Sequence, residues 1–165
     1  MPRGVWVVAL GVAVLVAVGG CSLFGGREPA LTHWEPALSP DGTRLAFESI
    51  VDKHLELFVR DLTSGLTDRL TENADEDWSP TWSPDGGRIA FASNRGDNND
   101  IYILDLATRG ATRLTTDPGD DINPHWGNDG RIYFNSNRSG TWEIYAVSPD
   151  GSGLAKLTET PVEDK

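Results

Sequence analysis

The side chains of this sequence that could do chemistry are carboxylates in short runs. They are Asp75, Glu76 and Asp77, then Arg95 with Asp97 and Asp100, then Asp117, Asp120 and Asp121, followed by Arg138 and Trp142. Clustered carboxylates can attract a basic partner or hold a hard cation through oxygen ligands. No segment carries a twelve-residue loop of spaced Asp ligands with a central Gly and a closing Glu, so no metal site is expected. His33, His54 and His125 stand apart and give no zinc spacing. Ser, His and Asp all occur, yet no Gly-x-Ser-x-Gly elbow or other nucleophile signature does, and no catalytic residue and no cofactor are expected. The chemistry to be expected is recognition rather than catalysis.

The lone cysteine, Cys21, excludes a disulfide framework within the chain. Its position gives it a different meaning. Arg3 precedes an apolar run from Val5 to Val18 that is short for a bilayer-spanning helix, and small residues follow it in Val18-Gly19-Gly20-Cys21. This pattern resembles the signal peptide and lipobox of bacterial lipoproteins, in which the cysteine carries lipid and becomes the first mature residue. The expectation is a signal peptide over residues 1–20, a lipidated Cys21 with a tether over 21–32, and an envelope protein held to a membrane through that lipid.

What must position the carboxylates is a repeat. Pro36, Pro80 and Pro124 are 44 residues apart, as are Asp41, Asp85 and Asp129, each followed by Gly. Leu70-Thr71, Leu114-Thr115 and Leu157-Thr158 recur at 44 and then 43. A period of this length belongs to stacked supersecondary units, four-stranded propeller blades among them. The units run over residues 33–76, 77–120 and 121–163, within a domain of 33–165.

Each unit offers four short strands. First strands are read at Ala37–Ser39, Thr81–Ser83 and His125–Gly127, ended by a Pro-Asp-Gly turn in which Gly supplies positive φ. The second (from Arg44, Arg88 and Arg131) and third (from Leu55, Ile101 and Ile144) are apolar at both alternating sets, which predicts burial on both faces. The fourth, around Leu70, Leu114 and Leu157, is short and polar, as suits an outer edge. In such a meander the second-to-third and unit-to-unit connections share one end. That end collects the acidic segments into a rim, which is the expected partner-binding face, with solvated turn residues as the open alternative.

The string Pro-x-Trp-Ser-Pro-Asp-Gly, then Arg-Ile-Ala-Phe-x-Ser-Asn-Arg, Ile-Tyr-x-x-Asp and Arg-Leu-Thr resembles the TolB-type β-propeller repeat. The resemblance covers residues 33–163 and implies an all-β fold, a partial β-propeller of three four-stranded antiparallel blades, half of a six-bladed ring. It implies no single function, since such repeats serve binding proteins and accessory domains of peptidases alike. The first unit departs from the pattern, with Glu48-Ser49-Ile50-Val51-Asp52 where the others carry Ser-Asn-Arg.

A formal charge of -11 argues against nucleic acid, whose recognition needs a basic face. Two partner classes remain: an envelope protein bound by a non-catalytic scaffold, or a carbohydrate or small ligand in the propeller mouth. Four tryptophans, Trp34, Trp78, Trp82 and Trp126, fall at strand positions and read as blade core, whereas Trp142 lies in a rim loop. Three blades do not close a ring. The expectations left open are a homodimer completing six blades and a truncated piece of a longer propeller.

Overall fold

A computed structural model describes residues 33–160. The leader, Cys21 and the tether lie outside the described residues. Twelve strands follow one another with no helix between them. They are β1 (His33–Leu38), β2 (Arg44–Val51), β3 (His54–Asp61) and β4 (Thr67–Arg69); β5 (Asp77–Trp82), β6 (Arg88–Ser93), β7 (Asp100–Asp105) and β8 (Ala111–Arg113); and β9 (Asp121–Trp126), β10 (Ile132–Ser136), β11 (Glu143–Val147) and β12 (Ala155–Lys156). Each set of four makes one antiparallel sheet in sequence order, so each repeat unit is one blade.

The first strands are longer than the sequence predicts. They begin at His33, Asp77 and Asp121, several residues before the apolar signal, and Ser39, Ser83 and Gly127 fall in the turn. The reason is a bulge. The register shifts between Trp34 and Ala37 and between Trp78 and Thr81, and Glu35, Ser79 and Asn123, each preceding a Pro, take positive φ of 47°, 52° and 53°. A bulge absorbs the proline that would otherwise argue against a strand.

The turn ending each first strand is held by its aspartate. Asp41 Oδ1 accepts from the Ser39 hydroxyl at 2.6 Å and from the Thr43 N–H at 3.0 Å, and these bonds lower its pKa to about 2. Asp85 repeats the arrangement with Ser83 and Gly87. In the third blade the turn is one residue shorter, Gly127 N–H bonding Arg131 O where Ser83 N–H bonds Arg88 O, and β10 keeps its place.

Side chains alternate along β6 to serve two neighbours. Ile89 and Phe91, with Tyr102, Leu104 and Trp82, meet Ala46, Leu57 and Val59 of the first blade. Ala90 and Ala92, with Ile101 and Ile103, leave room for Trp126, Ile132, Phe134, Tyr145 and Val147 of the third. Arg44 lies over the Trp82 ring at 4.5 Å and Arg88 over Trp126 at 5.0 Å, so the same cation–π contact seals both joints.

Burial on both faces therefore holds for the middle blade, holds only in part for the first, where Ile50 is exposed and most of β3 is half-buried, and fails for the third. There β10 alternates buried and half-buried, and Ile144 is 41% exposed where its counterpart Ile101 is fully buried. No fourth blade lies beyond it among the described residues. The fourth strands are short and polar as read.

Candidate functional site: the charged rim

The end of the blades opposite the Pro-Asp-Gly turns is built by two interactions that recur from blade to blade. In the first, a carboxylate stands at or near the start of the third strand and a threonine follows the fourth. Thr71 Oγ1 donates to Glu56 Oε2 at 2.5 Å while accepting the Leu57 N–H at 2.9 Å, and Arg69 reaches Glu56 at 3.2 Å. Thr115, Asp100, Ile101 and Arg113 repeat it, and Thr158, Glu143 and Ile144 repeat it again, with Lys156 in the place of the arginine. Every member of the set is explained by a need to satisfy a buried charge.

In the second, a carboxylate opens the first strand and an arginine follows the second. Arg95 Nη2 donates to both oxygens of Asp77, at 2.7 and 2.6 Å, and its Nε donates to Ser93 Oγ at 2.9 Å. Its guanidinium also lies 5.3 Å from the Phe91 ring and 4.9 Å from Tyr102. Arg138, Asp121, Ser136, Phe134 and Tyr145 repeat this in the third blade. The first blade has Val51 where the arginine would stand, and there Ser49 Oγ is buried without a partner among the described residues.

These contacts sort the carboxylates of the rim. Asp77, Asp100 and Asp121 are fully buried and ion-paired, so they do not offer themselves to a partner, and the expectation that they form part of a binding face is corrected. Burial pushes the Asp100 carboxyl up, against the pull of Arg113, and the nearby Asp121 adds to the rise. Arg95 and Arg138 are spent on the same pairs. Asp120 is half-buried and ties two loops together, accepting the Asn99 N–H at 3.2 Å and bonding Asn137 through side chain and backbone. Asp75, Glu76 and Asp117 are half-buried, while Asp97 and Trp142 are exposed. The backbone N–H groups of Asp75 and Glu76 are held by Asn73 and Asn94, but the side chains of Asp75, Glu76, Asp97 and Trp142 make no hydrogen bond or ion pair among the described residues, which leaves those four for solvent or a partner.

Sequence reading missed Glu56, Glu143 and the threonines. Their signal was present in the spacing, since Glu56, Asp100 and Glu143 follow the same 44 and 43 intervals as Thr71, Thr115 and Thr158. Among the described residues no group of three or more His, Cys, Asp or Glu side chains converges as a ready-made set of metal ligands.

A groove of about 430 Å³ runs along the inner strands, lined by Pro36, Pro80, Pro124, Glu35, Trp82 and Trp126 among others. The two indoles are 5% and 4% exposed beneath their arginines, so they belong to the joints and are not ring platforms for a sugar.

Three four-stranded antiparallel sheets, stacked face to face with their first strands innermost, define a β-propeller architecture. The TolB beta propeller domain family matches residues 21–163, and the chain belongs to that family. Among solved structures it is similar to the putative TolB of Agrobacterium tumefaciens, at 31% identity and a TM-score of 0.71, over 76% of this chain and 46% of that one. It is also similar to TolB from Acinetobacter baumannii, at 29% identity and a TM-score of 0.69, over 77% of this chain and 32% of that one. The chain thus spans less than half the length of these relatives. A puromycin hydrolase, 20% identical over 74% of this chain with a TM-score of 0.62, shares the fold. None of the curated proteins compared matches the chain.

Proposed function

We propose that this protein is a non-catalytic, lipid-anchored scaffold of the bacterial cell envelope that binds a basic partner protein through its rim. The observation that supports the reading is the division of labour among the rim side chains. Asp77, Asp100, Asp121, Arg95 and Arg138 fix the loops from beneath, and Asp75, Glu76, Asp97 and Trp142 stand free above them. Loops held from beneath that present unspent carboxylates, with an aromatic side chain in a further loop of the same rim, suit a partner with exposed Lys or Arg and a small apolar contact. The anchor rests on the lipobox-like Val18-Gly19-Gly20-Cys21.

Capture from envelope extract by the purified protein tests the rim. Charge reversal at Asp75, Glu76 and Asp97 together with Trp142→Ala should abolish capture, and capture by the parent should fall as salt is raised toward 1 M, where screening is about 3 Å. Equal loss from Asp41→Lys and Asp85→Lys at the opposite end argues for general charge attraction instead. Fractionation of Cys21→Ala tests the anchor: a variant that stays in the membrane fraction as the parent does has some other attachment.

A second copy of the chain is a further partner we propose, because Ile144 and Leu157 of the third blade are 41% and 49% exposed where the equivalent Ile101 and Leu114 are packed under the next blade. Two copies joined head to tail supply six blades and leave no open face. Sedimentation of the protein at micromolar concentration decides it, a monomer counting against the ring.

A further inference from the structure

The two joints between blades follow one plan at three positions, and the outer faces of the row depart from it at all three. Each blade has an entering face, turned to the blade before it, and a leaving face, turned to the blade after. Trp82 and Trp126 on entering faces meet Ala46 and Ala90 on leaving faces, and Arg44 or Arg88 lies over the indole. Two faces stay open, the entering face of the first blade and the leaving face of the third. Leu38, 44 positions before Trp82, holds the indole's place and is 58% exposed. Tyr133, 43 positions after Ala90, holds the alanine's place.

Strand register confirms the faces. Leu38 pairs with Leu45 as Trp82 pairs with Ile89, and Tyr133 pairs with Ala146 as Ala90 pairs with Ile103. The Tyr133 ring is fixed where it stands: its hydroxyl donates to Asp129 Oδ2 at 2.7 Å, and a Cβ on Gly127 would lie 2.8 Å from its Cε2, so the glycine makes room for the ring. Arg131, in the place of Arg44 and Arg88, turns back on its own blade, Nη2 donating to the carbonyls of Ala146 and Gly153 at 3.1 and 2.7 Å. The aromatic ring has thus changed sides, and the arginine that would cover an indole has withdrawn. Arg60, in the place of Leu104, bonds Thr67 Oγ1 at 3.1 Å on the outer strand. A row of repeats that ends in water carries polar outer faces, yet Leu38, Ile144 and Leu157 all stand exposed here.

We propose that these two faces are the halves of a joint made between copies of this chain, in which Tyr133 of one copy packs on Leu38 of the next. This rests on the head-to-tail ring put forward above and names its contact. A leaving face that already carries a ring suits an entering face with a smaller side chain. Among the described residues the first blade alone brings one, since the entering faces with Trp82 and Trp126 are covered inside the chain. Two such joints close the ring, and with four strands about 4.8 Å apart and about 17 Å long their four faces cover about 1,300 Å². A specific interface needs about 1,000 Å².

The test uses the full-length chain in detergent, with mass read by sedimentation at a concentration where the parent is dimeric. Leu38→Trp sets an indole against Tyr133, and Tyr133→Ala leaves a hole against Leu38. Each change falls in both joints of the ring, so a loss of about tenfold at each weakens the dimer about a hundredfold, and each variant alone should run as a monomer. Mixed in equal amounts the two variants should form a dimer, because one joint of the mixed ring is the parent's and the other sets an indole against a methyl group, as inside the chain. A monomeric parent overturns the ring and the joint together. A dimeric parent whose variants stay dimeric, or whose variant mixture stays monomeric, overturns the joint and leaves the copies associated through other surfaces. Where circular dichroism shows that one variant does not fold, both changes in a single chain decide: recovery of the dimer supports the joint, and a monomer overturns it.

Discussion

At the scale of single residues the rim is a study in how neighbouring carboxylates come to do different work. Asp75 and Asp77 are two positions apart and alike in sequence, yet one is free and the other is buried beneath Arg95. Removing the arginine strands the carboxylate, and breaking a buried pair by losing one partner costs about 3–5 kcal/mol. Arg95→Ala should therefore lower unfolding free energy by that amount in urea titration, while Asp75→Ala should change it by less than about 0.5 kcal/mol. Glu48 makes a second case. Burial raises its pKa, with Glu35 contributing, against a 2.7 Å bond from the Ser79 N–H. A carboxyl raised on folding favours the native state most when protonated, so stability from this group is complete below the unfolded value of about 4.5 and is lost as pH climbs through the higher folded value. Glu48→Gln keeps an acceptor for Ser79 without the charge. Melting curves should show it more stable than the parent at pH 7 and no more stable at pH 4. Glu143 runs the other way: the Thr158 hydroxyl, the Thr160 N–H and Lys156 hold its pKa down to about 2, so its contribution is present above about 4.5 and is lost as pH falls through about 2.

At the scale of elements, strands were legible wherever apolar residues ran together, as in β6 and β7. They were illegible in the leading halves of β5 and β9, whose Asp, Ser and Pro read as loop because a bulge and an unpaired inner edge tolerate residues that a central strand rejects. The rim was legible as a location, since strand order alone fixes which connections share an end. Which of its carboxylates are buried was not, because that depends on Arg95, Arg113 and Arg138 arriving from elsewhere in the blade. Equivalent strands in different blades also carry different weight. Ile101 in β7 is fully buried beneath the third blade, whereas Ile144 in β11 is half in solvent. Truncating a buried isoleucine to alanine costs about 2–5 kcal/mol, so Ile101→Ala should sit in that range and Ile144→Ala well below it by urea titration. Equal losses mean that something covers β11 in solution.

At the scale of the whole molecule, the blades form a row in which each touches only its neighbours. Such a row behaves as a short chain of coupled units, its stability divided into what each unit holds and what each contact adds. The middle blade shares both contacts and the end blades one each, so opening from an end breaks a single joint while opening the centre breaks both. Amide exchange should therefore proceed inward from the ends, with the protons of β6 and β7 outlasting those of β2, β3, β10 and β11. The joints themselves are nearly identical in chemistry, an arginine laid on a tryptophan, and this repetition has a kinetic meaning. Either pair of adjacent blades can serve as the starting seed to which the third is added, so folding has two routes of similar height instead of one. A fault in one joint, Arg44→Ala or Arg88→Ala, then redirects traffic to the other rather than stopping it.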